Sequence, residues 1–342
     1  MNCGTSNSNR NSLLVTGSSG FIGSRFMAWC RQQGIPAVGL DIQLPRRAWG
    51  DFVECDMLDR SRLLAVVREV APSSIVHLAA RTDLDGRSAD DYPVNSIGVE
   101  NLIHAIRGTA QVRRCLFTSS QLVCRIGYVP AHPNDYCPAT PYGESKVLTE
   151  QRVREFDGGG VTWCLLRPTT IWGPGMNSHY MAFFNHLRHG RYFHMGPSGL
   201  WKSYGFVGNT AHEIGKILEA PVQTMHRQTF YLADYEPLSL RAWINAIALG
   251  LGRKQPPAMP LPICRTAAWI GDAFGALGLG RLFPLNSFRL NNILTEYRFD
   301  MEPTRRICGE LPHTFEEGVK ELVEWLKHKD AAQGRSESGG TA

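Results

Sequence analysis

Three glycines at three-residue spacing, Gly17-x-x-Gly20-x-x-Gly23, stand between a short apolar run, Leu13-Leu14-Val15, and an amphipathic stretch over 21–33. The pattern reads as strand, tight turn and helix, and it constrains the fold more than any other feature of the chain. A turn that doubles back onto a helix start needs residues without a Cβ. The free N–H groups of that helix start, with the positive end of its dipole, then form a site for a pyrophosphate. Gly17, Ser19, Gly20, Phe21, Ile22 and Gly23 are therefore expected at a dinucleotide. Asp41 closes the next apolar run, 18 residues after Gly23. A carboxylate there accepts hydrogen bonds from both hydroxyls of an adenosine ribose and repels a 2′-phosphate. NAD is thus favoured over NADP, with Arg46 and Arg47 just downstream as the features that oppose the preference.

Alternation continues beyond the turn. Strands are expected over 52–55, 74–78, 114–119 and 161–166, with helices over 61–70, 92–106 and 142–156 between them. Strand and helix in turn predict a doubly wound parallel sheet with helices on both faces, because parallel strands need crossover connections. After Arg167-Pro168 the regularity fades into a Gly/Pro/aromatic stretch, and a second, smaller α+β lobe begins. The expected division is 12–167 with 204–235 for the dinucleotide domain and 168–203 with 236–328 for the lobe, with flexible termini over 1–11 and 330–342. Further helices are expected over 180–189, 240–249 and 314–327, and a late strand over 230–232.

Composition removes several classes of function. A net charge of +5 over 342 residues, with no basic block, excludes a nucleic-acid groove. The nine cysteines contain no C-x-x-C pair, which suits reduced thiols in a cytosolic protein better than a disulfide scaffold or a zinc site. His179, His186, His189 and His194 fall close together, but their spacing fits no metal site and acids are absent nearby. No stretch reaches the roughly 18 apolar residues of a membrane span. The nearest approach, 261–285, reads as a buried or capping helix, so no membrane partner is expected.

Tyr142-Gly143-Glu144-Ser145-Lys146 puts a phenol and an ammonium four residues apart on one helix face. A nearby ammonium stabilises phenolate and is expected to bring the tyrosine down toward the working pH, making it a usable general acid or base. Lys146 can also hold a nicotinamide ribose. Upstream, the fifth strand ends in Ser119-Ser120, whose hydroxyls can reach the same substrate oxygen.

These residues resemble the extended short-chain dehydrogenase/reductases, in particular the NAD-dependent epimerase/dehydratase group that acts on nucleotide-sugars. The resemblance covers roughly 13–327. It rests on Thr16-Gly17-Ser18-Ser19-Gly20-Phe21-Ile22-Gly23, Asp56-Met57, His77-Leu78-Ala79-Ala80, Asn95-x-x-Gly98, Phe117-Thr118-Ser119-Ser120, Tyr142-x-x-x-Lys146, and Leu166-Arg167-Pro168 through Gly173-Pro174-Gly175, in the family's order. It implies that Asp56 and Met57 meet the adenine, that Leu78, Ala79 and Ala80 line the dinucleotide, and that Asn95 supports the active site. Pro168 and Thr170 are expected at the cofactor, and Thr82 at the substrate. Ser120, rather than Ser119, matches the catalytic hydroxyl.

The implied chemistry is hydride transfer at a sugar carbinol. Tyr142 takes the hydroxyl proton, Ser120 holds the oxygen, and a transient keto-sugar that receives the hydride on its other face is epimerised. Family 4,6-dehydratases carry Asp-Glu directly after the catalytic hydroxyl; here Gln121-Leu122 stands there, which argues against dehydration. Cys124 and Arg125 replace a common tyrosine and glycine, and Thr170 a common asparagine. Lys202, in Trp201-Lys202-Ser203-Tyr204, resembles the family's diphosphate contact, and Arg289 is a second candidate because guanidinium groups clamp phosphate oxygens. The leading expectation is a cytoplasmic, homodimeric NAD-dependent nucleotide-sugar epimerase. The alternatives are a reductase or dehydrogenase of a keto-sugar, sterol or other alcohol, and a non-catalytic dinucleotide sensor.

Overall fold

A computed structural model describes residues 13–47, 50–176, 178–279 and 285–338. The polar arm expected over 1–11 lies outside them, as do the last four residues of the tail. In chain order the first elements are β1 (Leu13–Thr16), α1 (Phe21–Gln32), β2 (Ala37–Asp41), β3 (Asp51–Glu54), α2 (Arg60–Val70), β4 (Ser74–His77), α3 (Pro93–Arg107), β5 (Arg114–Thr118), α4 (Pro141–Phe156) and β6 (Thr162–Pro168). There follow β7 (Thr170–Trp172), α5 (Ser178–Arg188), β8 (His194–Met195), β9 (Trp201–Lys202), β10 (Tyr204–Phe206), α6 (Val207–Glu219), α7 (Val222–Met225), β11 (Thr229–Leu232) and β12 (Leu238–Ser239). The chain closes with α8 (Leu240–Gly250), β13 (Ala258–Met259), α9 (Leu261–Ala276), α10 (Ser287–Leu294), α11 (Glu302–Cys308) and α12 (Phe315–Ser338).

Seven strands form one parallel sheet in the order β11-β6-β5-β4-β1-β2-β3. This is a Rossmann-like doubly wound α/β fold. Successive residues of a strand face opposite sides of a sheet, and the two sides bury separate cores. Leu14, Ile75, Cys115, Phe117 and Leu165 pack with Leu63 and Val66 of α2, Leu102 of α3 and Val153 of α4. Their neighbours Leu13, Val15, Val76, Leu116 and Leu166 pack on the other side with Phe26 of α1 and Ile214 of α6. The short apolar runs without polar alternation are explained by this double burial.

Beyond β6 the chain leaves the sheet, pairs β10 with β7, and returns as β11 against β6. A third core, centred on Trp172, Phe206, Trp243 and Leu322, joins α8 and α12 to this part. Three of the departures from the sequence expectation concern the longer helices. The helix α6 has no counterpart among the expected elements, because its first turn, Gly208-Asn209-Thr210, reads as loop although those residues are buried. The closing helix runs to Ser338 rather than stopping at 327. The third is α9: it buries only the stripe Cys264, Ala268 and Gly271, and Trp269 on its outer face is 71% exposed. Among the described residues no helix is long and apolar enough to cross a membrane.

Candidate active site

Strand order reverses between β1 and β4, and open α/β sheets bind ligands at such a switch, outside the carboxyl ends of the strands. Gly17 follows β1 with φ 70°, and a Cβ there would lie 2.5 Å from the Ala79 backbone nitrogen beyond β4. A Cβ on Gly23 would strike the Gly17 carbonyl. Turn and helix are therefore packed backbone to backbone. The N-cap of α1 is Gly20, which offers no side-chain hydrogen bond to the first turn, whereas Asp59 and Thr140 cap α2 and α4. The cap residue of α1 thus takes none of the first-turn N–H groups with a side chain.

Beside this turn, Asp41 Oδ2 accepts from the Ser19 N–H at 3.0 Å and Oδ1 from the Gln43 N–H at 3.1 Å. The Ser19 hydroxyl donates to the Gln43 carbonyl at 2.6 Å. The carboxylate is held beside the glycine turn by two backbone N–H groups. Asp56 accepts from the Leu58 N–H at 2.9 Å, next to the buried Met57. Leu78, Ala79 and Ala80 continue from β4, with the Leu78 N–H donating to the Thr16 carbonyl.

The second half of the site stands at the end of β5. Thr140 caps α4 by accepting from the Gly143 N–H at 3.0 Å, which sets Tyr142 in the first turn and Lys146 one turn later. Lys146 Nζ donates to the Thr118 carbonyl at 2.9 Å. The Ser120 hydroxyl accepts from the Leu122 N–H at 3.1 Å and lies near enough to the Tyr142 phenol to act on its titration. Ser120, Tyr142 and Lys146 are therefore gathered at one strand end.

Their electrostatics correct one expectation. Burial pushes Tyr142 up to about 12, against the opposing bond to Ser120, and Tyr92 adds to the rise. Lys146 is not among the groups that move it. Burial also draws Lys146 down to about 8, resisted by Glu150 one turn along α4. At neutral pH the pair is a neutral phenol beside an ammonium.

Several further residues complete the surroundings; among them Asn95 had a role expected from the sequence, and the others had none. Burial, then the charge of Lys146, lowers His77 to about 3; its Nδ1 lies 2.7 Å from the Thr16 hydroxyl, so a neutral imidazole joins β1 to β4. Tyr92 meets the Tyr142 ring edge-on at 5.9 Å. Asn95 accepts from the Arg81 N–H and donates to the Arg81 carbonyl and the Ser145 hydroxyl, so it ties the chain after β4 to α4. Glu150, on the same helix face as Tyr142 and Lys146, binds Arg167 of β6 through both oxygens. The i+4 step from Lys146 was the one signal available for it.

The substrate-side candidates divide. Thr82 is exposed, Pro168 is buried at the end of β6, and the Thr170 hydroxyl lies 2.9 Å from that of Tyr297. Lys202 is placed differently from the expectation. It is 3% exposed, and its ammonium donates to the carbonyls of Asn292 at 2.6 Å and Thr295 at 2.9 Å, beside the Tyr297 ring. It closes the carboxyl end of α10 instead of facing an open diphosphate, because the last-turn carbonyls of a helix attract a cation. Arg289 is exposed on α10.

Fold and site define a dinucleotide-dependent enzyme of the doubly wound α/β class. Residues 13–233 match the NAD dependent epimerase/dehydratase family, and the chain belongs to that family. The chain is 26% identical to the 2-alkyl-3-oxoalkanoate reductase of Stenotrophomonas maltophilia over 91% of its own length and 98% of the relative's. It is 28% identical to the 3-beta-hydroxysteroid dehydrogenase of Mycolicibacterium neoaurum, over 71% of each. The UDP-glucose 4-epimerase of Thermus thermophilus, solved with NAD, superposes with a TM-score of 0.70 at 21% identity, covering 92% of this chain and 99% of that one. NAD is the cofactor of the family, and the chain is an enzyme of the epimerase/oxidoreductase type.

Proposed function

We propose that the protein is an NAD-dependent dehydrogenase/reductase that interconverts a secondary alcohol and a ketone on a largely apolar substrate of the sterol or oxoalkanoate kind. NAD supplies, when bound, the acceptor or donor of the hydride. The turn Gly17 to Gly23 holds its pyrophosphate and Asp41 its adenosine ribose. Ser120 donates a hydrogen bond to the substrate oxygen, and the Tyr142 hydroxyl passes a proton to or from it. Lys146, cationic at neutral pH, keeps positive charge beside the phenol and holds the nicotinamide ribose. A phenol that burial keeps protonated is suited to give its proton to a ketone oxygen as that oxygen gains charge.

The observation that carries the choice of substrate is the engagement of Lys202 by two carbonyls, which occupies the better matched of the two cations expected to meet a nucleotide-sugar diphosphate. The names of the relatives matched over most of the chain support the same choice. Epimerisation of a nucleotide-sugar would use the same three residues but return the cofactor unchanged. Purified protein is therefore given NAD or NADH with a 3β-hydroxysteroid, a 2-alkyl-3-oxoalkanoate or a UDP-sugar. Net change in NADH with one of the first two supports the proposal; inversion of the UDP-sugar without net NADH replaces it with the epimerase. A cytoplasmic homodimer joined across α3 and α4 is part of the same reading, and light scattering of the eluted protein tests its size.

A further inference from the structure

The chain after Ser120 passes through Gln121–Val123 and then forms an isolated parallel bridge in which Cys124 pairs with Cys137. The Cys137 N–H donates to the Val123 carbonyl at 3.0 Å and the Arg125 N–H to the Cys137 carbonyl at 2.6 Å, so the register of the two cysteines is fixed from both sides. Residues paired in this way sit on strands about 4.8 Å apart. That spacing falls inside the ~4.4–6.8 Å of Cα separation that a disulfide spans.

The two thiols differ. Cys124 is 4% exposed and its Sγ donates to the Asp135 carbonyl at 3.2 Å, while Cys137 is half-buried and its Sγ accepts from Arg125 Nη1 at 3.0 Å. Of the two sulfurs, the partly accessible one is the one a dissolved oxidant reaches first. Proximity of strands is not enough by itself. Cys115 and Cys164 also lie on neighbouring strands, but Cys115 pairs with Trp163 and Cys164 with Leu116, and the two side chains enter opposite faces of the sheet.

We propose that Cys124 and Cys137 form a reversible disulfide in the segment that follows Ser120. With a peroxide as oxidant, the Cys137 sulfur attacks one oxygen, the O–O bond breaks, and water leaves behind a sulfenic acid. The Cys124 sulfur then attacks that sulfur, the S–S bond forms as the S–O bond breaks, and a second water leaves. Two thiols lose two protons and two electrons, and the peroxide takes up both. The bridge closes the loop over 125–136. Within this loop Pro133 receives Arg167 Nη2 through its carbonyl, and the Tyr136 hydroxyl donates to Glu150, so the closed loop is tied directly to β6 and α4.

The test is independent of the substrate. The full-length protein is treated with hydrogen peroxide, alkylated and digested without reduction. The expected result is one linked peptide pair containing Cys124 and Cys137, lighter by two hydrogen atoms, released by dithiothreitol and absent from Cys124→Ser and Cys137→Ser. Recovery of both as alkylated free thiols overturns the proposal. So does Cys137 recovered as sulfinate or sulfonate with Cys124 still free.

Discussion

Arg167 closes on Glu150 with two arms of its guanidinium, Nε to Oε1 at 2.7 Å and Nη2 to Oε2 at 2.8 Å, with both side chains buried between α4 and β6. Lys146 lies one turn before Glu150, so the pair fixes the helix that carries the phenol and the ammonium. Removing one partner of a buried pair leaves an uncompensated charge and costs about 3–5 kcal/mol. Glu150→Gln or Arg167→Leu is expected to lower the unfolding free energy by that order in a denaturant titration. The double variant is expected to lose less than the sum of the two, because the surviving charge is gone.

Lys146 gives the reaction its pH dependence. Its ammonium is present below about 8 and is lost above it, so turnover in the ketone-reducing direction is expected to fall along an alkaline limb near that value. Lys146→Arg keeps the charge and should move the limb to higher pH, whatever it does to the maximal rate. A limb unchanged in this variant would assign it to another group.

Glu213 titrates with folding. It is fully buried, and burial first, then the Asp234 carboxylate, raise it well above the ordinary range. A carboxyl raised on folding contributes stability that is complete below about pH 4.5 and is lost as the pH climbs toward its folded value. Glu213→Gln carries no such loss. The Tm of the variant is expected to gain on that of the parent as pH rises from about 4.5, in scans at matched ionic strength.

Lys202 is expected to behave as a structural cation. Lys202→Met leaves the Asn292 and Thr295 carbonyls without their donor and should cost about 1–3 kcal/mol of stability. The KM for NAD is expected to stay unchanged. A variant of undiminished stability that selectively loses affinity for UDP-sugars would restore the diphosphate role.

Much of the fold was legible because a doubly buried parallel strand and a glycine turn are local patterns. Leu13 to Thr16 ending at Gly17 needs only a window of a few residues to read. The sequence placed the Tyr142 and Lys146 pair on one helix face for the same reason, since four residues make one turn. What Lys146 does to Tyr142 was not legible, because the answer depends on burial, which contacts between elements decide. Lys202 is the same kind of case: its partners lie some ninety residues away, in α10 and just beyond it. His77, Glu150 and Arg167 likewise act through contacts between elements, for which spacing along the chain carries almost no signal. The helix α6 was hidden by a polar first turn whose Asn209 bonds Asp234 and His313 from inside the fold.

The most direct test of the central claim counts NADH. Protein incubated with NAD and a 3β-hydroxysteroid, or run in reverse with NADH and a 2-alkyl-3-oxoalkanoate, should form or consume one NADH for each molecule converted. Tyr142→Phe should bind NAD equally well and turn over about 10²–10⁴-fold more slowly. Conversion of a UDP-sugar to its epimer with no net NADH, or a Tyr142→Phe variant as fast as the parent, would contradict the account.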